Sequence, residues 1–223
     1  MSSRMRGLAV VLMAALTMGA VPARASEVLE LTGVGNNYYG SIPVFPYYIS
    51  VDDGAVLPMM CDDARTEISI GQTWTANANS LTLADLANLK FASQGTESTI
   101  LNDYEMAAWI ESGVDLGTIN AGDGNAAVWS IFDTGFNTSV DHDNVETVLS
   151  NAQSAVNAGN LDYSGITIYT PNPLKASQEF IFGTVSVDPR PQFLNAPEPA
   201  TFAMLGGGLV ALAWIGRRRS NRG

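Results

Sequence analysis

Cys61 and His142 are the only residues of their types in the chain, and each limits what chemistry the protein can do. One thiol cannot make an internal disulfide, so Cys61 is buried and inert, reactive, or paired with another chain. A Cys61–His142 couple would be the core of a thiol protease. A Ser-His-Asp triad would also need only the one histidine. Neither has a family signature around it. Acid clusters at Asp52-Asp53, Asp62-Asp63 and Asp141-His142-Asp143 invite a divalent cation. None matches the EF-hand loop: after Asp141 and Asp143, Val145 stands where a third oxygen belongs, and no glycine follows. Turn and helix-cap chemistry accounts for each cluster more simply. No phosphate loop, dinucleotide fingerprint or zinc spacing is present. The sequence therefore assigns no catalytic residue, no metal and no cofactor.

The elements that would position these residues change period along the chain. Glu27 to Val34 alternates as a strand. Asn36 to Gly40 is a turn-rich aromatic loop. Pro46 to Val51 reads as a strand closed by the tight-turn signal Asp52-Asp53-Gly54. Ala55 to Met60 would return as its hairpin partner and deliver Cys61 at its end. Thr66 to Asn77 reads as a further strand. Thr82 would then cap a short helix to Lys90, with Asp85 at the capping-box offset. Thr99 precedes a helix from Ile100 to Ser112, stopped at Gly113. Tyr104, Ala107, Ala108 and Ile110 would share its buried face, bordered by Trp109. Gly124 to Phe132 is a third helix, and Asp141 to Ala158 a fourth, ended by Gly159. Ile166 to Tyr169 and Glu179 to Val187 return to strand. Strands, then helices, then strands predict an α+β fold: an antiparallel β-sandwich or barrel with a helical insertion. That unit would be flanked by an N-terminal signal helix and a C-terminal transmembrane helix.

An aromatic-rich strand leading to Cys61-Asp62-Asp63, then Tyr104-Glu105-Met106-Ala107-Ala108-Trp109, then Asn125-Ala126-Ala127-Val128-Trp129-Ser130-Ile131-Phe132, resembles the bacterial thioester domains of surface adhesins. The resemblance spans about 70 residues. It implies a shared fold and, at Cys61, an internal thioester with a side-chain amide. In that chemistry the thiolate attacks the amide, ammonia leaves, and an acyl donor is stored for a nucleophile on the target surface. The family's glutamine position holds Asn125, one methylene shorter, and Gly124 replaces its threonine. Core packing is the alternative role for Trp109 and Trp129.

Both ends look like targeting segments. Arg4 and Arg6 precede an apolar run from Gly7 to Val21. Ala23 and Ala25 supply the small residues of a signal-peptidase site before Ser26. At the other end, 200–216 carries no charge, and as a helix those residues would extend about 25 Å. Arg217, Arg218 and Arg219 follow, and positive charge stays on the cytoplasmic side, so the main domain would lie outside. Just before this run stands Pro197-Glu198-Pro199. Two prolines keep the stretch extended and open to a protease. Pro-Glu-Pro, a short Gly-rich apolar helix and terminal arginines closely resemble the PEP-CTERM sorting signal. That resemblance implies processing by exosortase, a membrane cysteine protease, in a Gram-negative bacterium that exports polysaccharide. The expected layout is a signal peptide at 1–25, an extracellular thioester-domain-like unit at 26–196, and the sorting signal at 197–223.

The whole-chain charge of −11 understates the acidity of the middle. Between Ser26 and Ala196 only Arg65, Lys90, Lys175 and Arg190 stand against 21 acidic residues, a net −17. Such a surface repels phosphate backbones and excludes nucleic acid as a partner. The expected protein is a non-enzymatic adhesion or scaffold component of the cell surface or biofilm matrix. Its partners would be signal peptidase and exosortase during export, the membrane through the C-terminal helix, and extracellular polysaccharide or surface proteins thereafter. The alternatives are a covalent adhesin using Cys61 and a secreted hydrolase with convergent carboxylates.

Overall fold

The computed structural model describes residues 26–136 and 140–187. Six strands form a closed antiparallel barrel: β1 (Ser26–Val34), β4 (Tyr47–Val51), β5 (Val56–Cys61), β9 (Phe180–Gly183), β8 (Ile166–Pro171) and β6 (Thr73–Ser80), in that order around it. Pairing of β1 with β6 closes the ring. Two-stranded ribbons, β2 (Tyr38–Tyr39) with β3 (Ile42–Pro43) and β7 (Leu161–Asp162) with β10 (Ser186–Val187), sit beside it. Between β6 and β7 the chain inserts α1 (Glu97–Asp115), α2 (Ala121–Phe132) and α3 (His142–Ala158). This is the expected α+β fold, in its barrel form. The segments expected to form a signal helix and a transmembrane helix lie outside the described residues. Among the described residues no helix is long and apolar enough to cross a membrane.

Alternation within the strands builds two cores. Leu29, Leu31, Ile49, Met59, Trp74, Ala76 and Phe180 point into the barrel with Cys61. Met60, Ile166, Ile168 and Ile181 point out of it and meet Ile100, Tyr104, Ile110, Val128 and Trp129 of the helices. The 52–54 hairpin forms as expected. Asp52 and Asp53 take left-handed φ of 49° and 55°, as tight strand connections require, and Asp52 Oδ1 accepts the Val28 N–H at 2.7 Å.

Several boundaries differ from the pattern, each for a local reason. β6 starts at Thr73 instead of Thr66, because a turn around Gly71 (φ +84°) reverses the chain, with Gln72 N donating to Ser69 O. No α-helix forms over 82–90; only a single 3₁₀ turn, Leu86–Asn88, is present, and Asp85 makes no side-chain cap. The amide protons a helix would use are taken from the side: Lys90 N–H bonds Glu179 Oε2 and Phe91 N–H bonds the Tyr104 hydroxyl. α1 begins earlier than expected, capped by Thr96, whose hydroxyl accepts Thr99 N–H. It also runs through Gly113. Asn120 caps α2 by accepting from Gly122 and Asp123. α3 and its Gly159 terminator, left-handed at φ 66°, match the expectation.

Candidate functional site

Asp62, Asp63, Lys90 and Glu179 converge where the end of β5 meets the helices. Asp62 is 1 % exposed and Glu179 0 %. Both side-chain oxygens of Asp62 are buried without a hydrogen-bond partner among the described residues. Glu179 is well supplied: the Tyr104 hydroxyl donates to Oε1, and the Thr170 hydroxyl and Lys90 N–H donate to Oε2. Thr170 is held in turn by Asn79 Nδ2 at 2.9 Å. Burial raises the pKa of both acids, and the Glu179 charge lifts Asp62 further. Donors around Glu179 work against the rise there, whereas at Asp62 the Lys90 charge is what opposes it.

Asp63 behaves in the opposite way. Burial would raise it, but hydrogen bonds from Lys90, Thr66 and the Arg65 backbone outweigh burial and hold it below the usual carboxylate range. Its Oδ1 accepts the backbone N–H groups of Arg65 (2.9 Å) and Thr66 (3.2 Å), while its Oδ2 meets Lys90 Nζ at 2.5 Å. Lys90 Nζ also bonds Ser177 O and the Thr66 hydroxyl. Gln178 Nε2 pins the same loop through Asp63 O and Thr66 O.

Above this seam opens a cleft of about 350 Å³, lined by Asp62, Asp63, Arg65, Phe91, Gln94, Phe132 and Asp133 among others. Phe91 and Phe132 stack at 4.7 Å to form one wall. A bidentate Arg65–Asp133 pair spans the rim, with Arg65 Nε to Asp133 Oδ2 at 2.6 Å and a second contact through Nη2.

Cys61 and Asn125, apart by 64 positions in sequence, do come together. Asn125 is fully buried; its Nδ2 donates to Cys61 O at 2.8 Å and its Oδ1 accepts Phe45 N–H at 3.0 Å. The Cys61 sulfur donates to Asp63 O at 3.2 Å and accepts the Asp63 N–H at 3.3 Å. Burial and the neighbouring Asp62 charge push the thiol pKa well up, only partly offset by the Asp63 backbone and the Trp129 indole N–H. Trp129 is a packed core residue, as the packing alternative had it, and Trp109 is partly buried against the same core. His142, 58 % exposed at its side chain, lies 3.9 Å from Glu146 on the first turns of α3. Asp141 precedes the same helix and accepts a bond from Asn144. Among the described residues no group of acids, histidine or cysteine is arranged to hold a metal ion.

Sequence reasoning missed Glu179, Tyr104 as its donor, and Lys90. A lone Glu at a strand start carries no motif. The one available hint was an acid in an otherwise apolar Glu179-Phe180-Ile181-Phe182 run. Ala23, Ala25, Pro197, Glu198, Pro199, Arg217, Arg218 and Arg219 lie outside the described residues.

A barrel carrying a helical layer, with a buried acid pair below an open cleft, defines a domain built around an internal polar seam. Its destination comes from the C-terminus, where residues 195–219 match the PEP-CTERM protein-sorting motif. The chain is thus an exported protein sorted through exosortase. No curated protein and no solved structure matches the chain.

Proposed function

We propose that this is a non-enzymatic surface or matrix protein that adheres through the cleft above Asp62, with extracellular polysaccharide as the ligand. The observation that carries this is the make-up of the cleft. The stacked Phe91–Phe132 wall offers an apolar face to a sugar ring, while Gln94 and the Arg65–Asp133 pair offer donors and acceptors to its hydroxyls. Small polar ligands are held by such convergent polar groups on an apolar wall. The test is calorimetric titration of the purified protein with exopolysaccharide from its native host. Gln94→Ala and Arg65→Ala should each weaken binding by about tenfold, the worth of one good hydrogen-bonded contact. No measurable binding by the wild type would sink the proposal.

The same titration decides the hydrolase alternative. Burial of Asp62 beside the cleft raises its pKa, the direction a general acid needs, so release of new reducing ends would favour turnover over adhesion. A second alternative rests on the Cys61–Asn125 contact, in which the Asn125 amide donates to the backbone carbonyl of Cys61. A covalent adhesin of this kind would be lighter by one ammonia and would lack a free thiol in the denatured state. Against it stand the sulfur's orientation toward Asp63 and the engagement of both Asn125 side-chain atoms.

A further inference from the structure

We infer that Lys90 and Asp63 are the two halves of an intramolecular isopeptide bond, formed by condensation of the Lys90 amine with the Asp63 carboxyl group. The pair has the parts such a reaction needs. The nucleophile is in place: Nζ contacts Asp63 Oδ2 at 2.5 Å, with Cγ one covalent bond further on. Ser177 O and the Thr66 hydroxyl fix the ammonium in that position. The other carboxylate oxygen, Oδ1, already sits between two backbone N–H donors, those of Arg65 and Thr66. Such a pair of donors stabilises the oxyanion that develops when an amine adds to a carboxyl carbon. Both side chains are withdrawn from solvent, with exposures of 13 % for Lys90 and 4 % for Asp63. An acid stands alongside. Asp62 is next in the chain to Asp63 and buried, and the equally buried Glu179 accepts the Lys90 backbone N–H at Oε2.

The step balances without any outside reagent. The ammonium of Lys90 passes one proton to a neighbouring carboxylate, and its lone pair forms the Nζ–Cγ bond. The tetrahedral centre keeps Oδ1 in the two-donor pocket. The Cγ–Oδ2 bond breaks as Oδ2 collects protons from the Asp62–Glu179 pair and from Nζ, and it leaves as water. The acid pair returns to its starting protonation. Asp63 also lines the open cleft, so the water has an exit. The product replaces two buried charges, which are costly to keep from water, with one neutral amide. It would join the end of β5 to the segment before α1 and staple the barrel to the helical insertion. Asp63 and Lys90 are apart by 27 positions in sequence, so the bond closes a loop of that span.

Mass spectrometry of the full processed protein purified from its native host tests this directly. The intact mass should fall short of the sequence mass, for the observed termini, by one water. Trypsin should be unable to cut after Lys90 and should yield the peptide ending at Arg65 linked to the peptide 66–175. Lys90→Arg, which keeps the charge but cannot close the bond, should restore the missing mass and free the Arg65-ending peptide. A full-mass wild type giving separate peptides that end at Arg65 and Lys90 overturns the proposal. So does a water loss that persists in Lys90→Arg, or an ammonia loss in place of the water loss. The wild-type digest is decisive even if the variant fails to fold.

Discussion

At the scale of single residues the structure spends its polar groups inward, and the clearest consequence is a pH-dependent one. Glu111 is buried in α1; burial, with some help from Asp115, pushes its pKa up to about 9, while a backbone bond from Gly183 works against the rise. A carboxyl whose folded pKa exceeds its unfolded value favours folding most when it is protonated in both states. Its contribution is therefore complete below about pH 4.5 and is lost as pH climbs toward 9. Urea unfolding of the wild type across this window should show stability falling, with Glu111 contributing on the order of 1 kcal/mol per pH unit. Glu111→Gln should flatten that part of the slope. If both proteins lose stability in parallel, Glu111 is not the group responsible. Little of this could be foreseen from the chain. Cys61 and Asn125 stand out in the sequence as a spaced pair, and the bond the structure shows between them runs from the Asn125 amide to the Cys61 backbone carbonyl. Glu179, Lys90 and Glu111 carry no pattern at all; burial and packing across distant segments create their chemistry.

At the scale of elements, helix contacts explain which sequence signals succeeded. Gly159 was readable as a terminator because its left-handed φ follows from local preference alone. Gly113 misled because that glycine serves packing: a Cβ there would come within 2.6 Å of Ile119 Cδ1, and the turn that ends α1 uses Gly117 at φ +71°. Gly124 follows the same rule on α2. A methyl group at that position would meet Val114 Cγ2 at 2.4 Å and Ile110 Cγ2 at 3.3 Å, so glycine sets how closely α1 and α2 approach. Gly124→Ala should cost about 1–3 kcal/mol, the usual range for overpacking, even though alanine is the better helix former. Chemical denaturation would measure it, and a neutral or stabilising result would mean that the two helices can separate at no cost. The 82–90 segment shows the converse. Its helical pattern was sound locally but lost to Glu179 and Tyr104, whose side chains claim the Lys90 and Phe91 amides.

At the scale of the whole molecule, folding and address occupy separate stretches of chain. Every barrel pairing joins residues between Ser26 and Gly183, and the sorting motif begins only at residue 195. The motif was the most legible part of the sequence because a sorting signal is read along the chain, whereas the cleft exists only once the barrel closes. This separation makes a double prediction for the triple substitution Pro197→Ala, Glu198→Ala and Pro199→Ala. The melting temperature of the purified protein should match the wild type, since positions 197–199 lie outside every described strand and helix. Processing should fail, so the envelope fraction should hold a species whose intact mass still extends to Gly223, while the wild type ends near Pro199. A variant cleaved like the wild type would show that exosortase does not read Pro-Glu-Pro here. A variant that melts several degrees lower would show that the C-terminal segment supports the barrel, and the division between fold and address would fall with it.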